Sequence, residues 1–598
     1  MERRQQQKTT DPMMCNHYSP FAGSNPAPQP QPWWPWCTWN VHNAMGFHIV
    51  TSNFDLACLF RQSIRCPPEI QVSSSRKLMA RIAIVNPCFE VSYWGLEHAL
   101  PLFGKRANLP THCLPLLAAL TPDEHDVTLI DENVDEIDFG VLAEFDIVGI
   151  TGMSVQRFRM REIMAELRRR DSFVVVGGPW VTVNEDYFGS LADVIFVGEA
   201  DETWPLFLDQ WRDGRHKTRY EQAQATDMSM VPTPRFDLMK MRHYMFGSLQ
   251  FTRGCPFQCE FCDIIVIFGR RPRLKTSGQI IAELEALRAQ NVEIAFIVDD
   301  NLIGNKQGVK LLLREVIEWQ RANGYPLTFF TETSLDLAED QELMKLMVEA
   351  NFVSVFIGIE SPNNAALLET KKIQNIREGG TMVEKIHTIQ NAGLDVWCGM
   401  ILGFDNDDSS IFDAQQEFLQ QARITHIMIG MLHAIPKTPL YERLESEGRL
   451  DTGDPPEFGT NVIPAQLTRE ELRDGYVRVL KELYEPDAYF DRVDSLYLDG
   501  DFQFALARSR YWRRHPIKWL TAQIRNLAGF ALIYYRVTRK VPNSELRTEY
   551  RRRILNFLRK RRDPDVLFVY AIKCAMHYHH YKMSQEMAHE EMPVVSTM

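Results

Sequence analysis

Between Arg81 and about Trp211, short apolar runs alternate with stretches whose apolar positions recur at helical spacing. The runs are Ile82–Val85, Asp126–Ile130, Ile147–Thr151, Ser172–Gly177 and Val194–Val197, and segments such as Arg159–Arg169 lie between them. Strands buried on both faces read as continuous apolar runs, and strand–helix alternation sets such strands side by side in parallel. The pattern predicts an α/β architecture that begins with a doubly wound, Rossmann-like parallel sheet over 80–212. A connector, 213–245, contains Val231-Pro-Thr-Pro-Arg235. Six further strand–helix units then fill 246–465, with strands predicted at Ser248–Thr252, Ile294–Val298, Leu327–Thr331, Ser354–Ile359, Val396–Leu402 and Ile427–Leu432. From 466 to 598 the periodicity is helical.

Residues 1–78 show no sustained period, and Pro26-Ala-Pro-Gln-Pro-Gln-Pro-Trp-Trp-Pro-Trp36 is of low complexity. The segment lacks the features of a signal peptide. It reads as a disordered extension or as sequence upstream of a start at Met79, the second being favoured because the first strand follows at once. Eleven cysteines spread over 598 residues do not make a disulfide framework, which favours a reducing, cytoplasmic setting. No run reaches the roughly 18 apolar residues of a membrane span; the best, Leu527–Tyr535, has nine. The net charge of −12 conceals an asymmetry, because Asp501–Arg562 holds 17 Lys and Arg against three Asp and Glu.

The densest chemistry lies in Phe251-Thr-Arg-Gly-Cys-Pro-Phe-Gln-Cys-Glu-Phe-Cys-Asp263. Cys255, Cys259 and Cys262 supply three thiolates within eight residues, enough for three corners of an iron–sulfur cube. A structural zinc site wants four closed ligands, and no fourth Cys or His lies nearby. The C-x3-C-x2-C spacing, with aromatic Phe261 before the third cysteine, resembles the radical S-adenosylmethionine (SAM) superfamily. The resemblance implies a 4Fe-4S cluster with one iron open to SAM, and the six strand–helix units match that family's partial (β/α)6 barrel.

Catalytic groups in parallel barrels gather at the carboxyl ends of the strands. There stand Asp299, Asp300 and Asn301, then Glu332, then Gly358, Glu360 and Ser361. In the family such positions contact the SAM ammonium, carboxylate and ribose, although an Asp at a strand end is more often a helix cap. Gly399-Met-Ile-Leu-Gly403 resembles the adenine-side motif; Asn406 occupies the expected acidic position, leaving Asp405 or Asp407 as substitutes. Ile435-Pro-Lys-Thr-Pro-Leu440 resembles the apolar wall beside the adenine.

A doubly wound sheet directly before such a core resembles the cobalamin-binding domain of B12-dependent radical SAM enzymes. Ligands of these sheets bind at the strands' carboxyl ends, here at Ser154, Gly177, Gly178, Gly198 and Glu199. Read alone, the glycines simply make turns. The D-x-H-x-x-G motif that supplies a cobalt-ligating histidine elsewhere is absent, and His98 and His112 read as structural.

Glu260–Ile264, Phe268–Lys275, Val298–Asn305 and Gly403–Asp407 give the chain the look of the hopanoid C-2 methylase and bacteriochlorophyll methyltransferase group. The resemblance implies reductive cleavage of SAM, hydrogen abstraction from an unactivated C–H, and methyl transfer from methylcobalamin to an apolar, hopanoid- or tetrapyrrole-like metabolite. Other readings are a radical SAM oxidoreductase or cyclase, and a non-catalytic iron–sulfur sensor. The implied partners are that substrate and a reductant such as ferredoxin or flavodoxin. The basic C-terminal segment fits peripheral contact with the inner membrane better than nucleic acid, and it also fits a basic domain packed on an acidic core.

Overall fold

The computed structural model describes residues 79–598 except 378, 501, 590, 591 and 595–598. The expectations for 1–78 lie outside the described residues. The first sheet is six-stranded and wholly parallel: β1 (Arg81–Asn86), β2 (Asp126–Asp131), β3 (Ile147–Thr151), β4 (Val174–Gly177), β5 (Val194–Val197) and β6 (Arg219–Glu221), in the order β2-β1-β3-β4-β5-β6. The chain leaves β1 toward one edge and returns to β3 on the other side. The loops after β1 and β3 therefore diverge and open a crevice at the carboxyl end. β3 is buried at all five positions, which is why it reads as an unbroken apolar run.

Two departures from the apolar pattern appear. The connector is not outside the sheet: its Arg219–Glu221 pairs with β5, with Tyr220 buried between two exposed charged neighbours. A three-residue edge strand is too short and polar to show a period. The first strand of the second series also ends early, at Leu249 (β7, Gly247–Leu249). The Phe251 amide turns instead to the Asp299 carboxylate at 2.7 Å. Thr252–Arg253 (β8) then pairs antiparallel with Arg273–Leu274 (β9), and this small ribbon frames the cysteine loop.

The second sheet joins β7 to β10 (Ile294–Ile297), β11 (Thr328–Thr333), β12 (Phe352–Glu360), β13 (Asp395–Leu402) and β14 (His426–Met431), all parallel and in sequential order. Aromatic side chains of these strands, including Phe296, Phe330, Phe356 and Trp397, pack around Trp94, which enters from the loop after β1.

The C-terminal region is helical. Its last helix, Pro564–Ala588, inserts Lys573 against the amino end of β13, pairing with Asp395 at 2.7 Å; both side chains are almost fully buried. Thr425 and His426 share the same ammonium. No helix among the described residues is long and apolar enough to cross a membrane.

Candidate active site at the carboxyl ends of the two sheets

The cysteine loop is anchored by backbone bonds that its residue types make possible. Gly254 has φ +93°, and a Cβ there would stand 2.9 Å from the Gly269 carbonyl, so only glycine lets the loop turn this close to its return strand. Its amide donates to Asp300 at 2.9 Å, and the Cys255 amide to the Gly269 carbonyl at 3.3 Å. The Asn301 side-chain amide lies 3.9 Å from Cys255 Sγ, and that of Gln374 lies 3.5 Å from Cys259 Sγ. Burial pushes the thiols of Cys255 and Cys262 upward, and the Lys372 ammonium opposes this at Cys255.

Three soft thiol donors on one short loop, with amide donors aimed at two of the sulfurs, fit an iron–sulfur cube. No three His, Cys, Asp or Glu side chains among the described residues converge on one ion. A cube needs no such convergence, because each thiolate takes a different iron.

Asp299, Asp300 and Asn301 act first as the loop's tethers. Asp299 accepts from Phe251, Asp300 from Gly254, and Asn301 donates to Ser334 at 3.1 Å. Burial raises the carboxyl of Asp299 to about 7 and that of Asp300 to about 6. Glu332 is different. It has no hydrogen-bond donor among the described residues, and burial, with the charge of Asp300 added, raises it to about 8.

At the end of β12, Glu360 is held at φ +67° and pairs with Lys372 at 2.6 Å. A Cβ on Gly358 would strike that pair, 2.2 Å from Glu360 Oε1 and 2.7 Å from Lys372 Nζ. Burial opposes the Lys372 charge, but Glu360 together with Cys259 and Cys262 more than restores it. Ser361 accepts from the Asn363 amide and is fully buried. After β13, Gly403 turns at φ +102°, and Asp407 accepts from both the Gly403 and Phe404 amides at 3.0 Å. Asp405 is taken by Arg443 and Arg449, and Asn406 by Glu369. Of the two substitutes for the missing acid, one holds the turn and the other is spent on arginines.

At the first sheet, Gly178 has φ +99°, and a Cβ there would lie 2.7 Å from Thr151 Oγ1 and 3.0 Å from the Gly152 backbone. Gly177 abuts Phe196, whereas Gly198, φ +74°, has open space around it. Ser154 opens the turn after β3. Glu199 has a role its position in sequence does not suggest. Its buried carboxylate takes Arg253 at 2.7 Å and Arg273 at 2.9 Å, and Asp201 takes Arg253 at 2.6 Å. These are the residues flanking the cysteine loop, so Glu199 ties sheet to barrel. His98 pairs with Glu586 at 3.1 Å, and His112 packs half-buried against Phe236 and stays uncharged.

The two rims meet around a cavity of about 1240 Å³, lined by Phe89, Ser154 and Trp180 from the first sheet and by His433 and Tyr441 from the barrel. Lys437 bridges the rims, donating to the Thr182 carbonyl at 2.7 Å and pairing with Glu185. Ile264–Ile267, directly after Cys262, packs by Val266 and Ile267 on Trp180 and Val181. His433 escaped the sequence reading. Burial, aided by Arg157, lowers it to about 4 and keeps it neutral. The signal was there: a polar residue just past the end of β14, the rule that selected its neighbours.

The radical SAM superfamily model matches residues 249–418, and a model described as a domain of unknown function (DUF4070) matches 438–592. An uncharacterized methyltransferase of Synechocystis sp. is 39% identical over 418 residues, covering 69% of this chain and 77% of the relative. The hopanoid C-2 methylase of Rhodopseudomonas palustris is 33% identical over 450 residues, covering 74% and 82%. The chain belongs to the B12-binding-domain radical SAM methyltransferase family. It is a radical SAM enzyme, and the family's cofactors are a 4Fe-4S cluster, SAM and cobalamin. Two solved structures share the fold. The radical SAM methyltransferase TsrM of Kitasatospora setae aligns with a TM-score of 0.55 at 17% identity, over 69% of this chain and 90% of its own. The cobalamin-dependent SAM radical enzyme OxsB aligns at 0.53 and 14%, over 86% and 82%.

Proposed function

We propose that this enzyme methylates an unactivated carbon of an apolar, hopanoid- or tetrapyrrole-like metabolite, and that the cavity between the two rims receives it. The observation that carries the reading is the cavity's place and lining: about 1240 Å³ at the facing carboxyl ends of both sheets, walled by Phe89, Phe158, Trp180, Tyr187, Tyr441 and Leu450. The aromatic walls suit a large, water-poor ligand, and the lining also carries charged groups, among them Arg157, Asp451, Arg473 and Glu482, that suit a polar end on it. The turns at Ser154 and at Gly177 and Gly178, the last of which only glycine can make, would hold the corrin, and Cys255, Cys259 and Cys262 the cluster. When bound, these cofactors and SAM supply hydrogen abstraction and the transferred methyl group.

The chain's own residues prepare that chemistry. Glu332, protonated when alone, would ionise against the SAM ammonium, while the Glu360–Lys372 pair fixes the edge of the site. His433, neutral by burial, places no charge beside an apolar substrate. Arg270 and Arg271, exposed on the ribbon beside the cysteine loop, suit an acidic reductant such as ferredoxin or flavodoxin, and replacing both by Gln should slow reduction without changing turnover under dithionite.

The test is stoichiometry with reconstituted protein and a lipid extract from a deletion strain. Equal S-adenosylhomocysteine and 5′-deoxyadenosine with a methylated lipid sustains the reading. 5′-Deoxyadenosine alone points to an oxidoreductase or cyclase, and neither product to a sensor.

A further inference from the structure

A surface helix normally has one apolar face; the helix Pro516–Arg539 has two. Ala522, Asn526, Ile533 and Val537 are buried on its inner side. On the outer side Ile517, Leu520, Ile524, Leu527, Ala531 and Tyr535 recur at steps of three and four and stay exposed. Ile517 is 82% exposed, Ile524 59% and Tyr535 57%. Seven of the seventeen exposed large apolar side chains among the described residues lie on this helix, which makes a patch rather than scatter.

The charge along this segment of the chain has one sign. From Phe502 to Ser544 the chain carries nine Lys and Arg and no Asp or Glu. Arg513 and Arg514 stand before the helix and Arg539 and Lys540 at its end, and none of the four has an ion pair among the described residues. Lys518 lies along one flank, over Tyr511. The next helix, Ser544–Lys560, is as basic but spends its charge internally: Arg553 meets Asp487, Asp494 and Glu549, and Lys560 meets Asp499.

We propose that the helix Pro516–Arg539 is an in-plane anchor for an anionic bilayer. Its outer stripe would sink to the boundary between headgroups and acyl chains, with the unpaired arginines and lysines on the headgroups. The 24-residue helix offers about 36 Å of contact lying flat. A second copy of the chain is disfavoured as occupant, because facing stripes would bring like charges together.

The anchor sits away from the chemistry. Trp512 donates to the Gly324 carbonyl at 3.0 Å, Arg508 to Thr328 at 2.7 Å, and Arg525 pairs with Glu293 at 2.9 Å. Those partners lie at the amino ends of β10 and β11, opposite the cysteine loop. The inference therefore does not rest on the methyl-transfer reading, and SAM cleavage in solution reports that reading separately.

The experiment is co-sedimentation of the full-length holoenzyme with vesicles of equal parts phosphatidylcholine and phosphatidylglycerol, or of phosphatidylcholine alone, at low and high salt. The native protein is expected to pellet with the anionic vesicles and to be released by salt. Leu520→Glu with Ile524→Glu should lower the partition coefficient roughly tenfold or more. Arg513→Gln, Arg514→Gln and Lys518→Gln together should weaken binding and flatten its salt dependence. Both variants should keep their iron content and urea midpoint, since every altered side chain is exposed. The proposal is overturned by failure of the native protein to pellet, by equal pelleting on neutral vesicles, or by an unchanged stripe variant. A native dimer that the stripe variant makes monomeric, with vesicles ignored, would assign the face to a second copy instead.

Discussion

Both sheets have six parallel strands, yet their carboxyl ends are built on opposite principles. The first, with its strand order reversing at β1, ends in turns that demand smallness: Gly178 fits because nothing larger would clear Thr151 and Gly152. Its buried acids are spent: Glu199 is neutralised by two arginines, and Asp131 accepts from Asn86 and Tyr244. The second sheet, sequential in order, ends in carboxyls that burial has pushed upward, Asp299 and Asp300 fastened to backbone amides and Glu332 fastened to nothing. A rim of small turns suits a broad, flat ligand, and a rim with an unspent acid suits a small cation. Arg253, Arg273 and Lys437 lock the two rims together.

The largest effect should come from removing the thiols. Cys255→Ala, Cys259→Ala and Cys262→Ala together should abolish cluster iron and 5′-deoxyadenosine formation in anaerobically reconstituted protein, while the urea transition of the remainder persists. Full iron content with intact SAM cleavage would move the reactive centre elsewhere.

Breaking the lock comes next. Arg253→Met leaves Asp201 without its arginine and Glu199 with one, and stranding buried charge costs about 3–5 kcal/mol. A fall in unfolding free energy of that size, read from urea titration and partly rescued by Arg253→Lys, is the expected outcome; a neutral result would mean the rims hold without it.

The glycine rim can be sharpened by a pair. Gly178→Val meets both a left-handed backbone and a collision 2.7 Å from Thr151 Oγ1, and should cost roughly 2–4 kcal/mol and release cobalamin. Gly198→Ala meets only the backbone penalty, about 1 kcal/mol, because nothing lies within 4 Å. Equal costs would show that space is not what selects glycine there.

The smallest effect is a slope. Glu332 carries its proton up to about 8 when folded, against an ordinary value of 4.5 when unfolded. Between those values the unfolded chain gives up a proton that the folded chain keeps, so stability falls as pH rises through that window and levels off above it. Glu332→Gln should make the urea midpoint of cofactor-free protein less steep against pH. The slope will not vanish, since Asp299 and Asp407, each raised to about 7, act in the same direction.

The strands were legible wherever burial on both faces left a continuous apolar run, and β3 and β5 fall on the residues so predicted. β6 was not, because its pairing depends on β5 being already in place. The cysteine loop was legible because its ligands share eight residues. Glu199 drew attention for lying past a strand end, but its partner Arg253 is 54 residues away, and no local pattern carries an ion pair of that span.

The amino-acid sequence by itself determined the order of the long strands and helices, the two parallel series and the three thiols, all properties written within a few residues by periodicity or spacing. The tertiary structure alone decided which polar groups are spent and which stay free. Asp299, Asp300 and Glu199 are consumed by distant amides and arginines, whereas Glu332 and the outer stripe of Pro516–Arg539 are left over. A residue type states what a side chain can bind, and only packing states whether something already does.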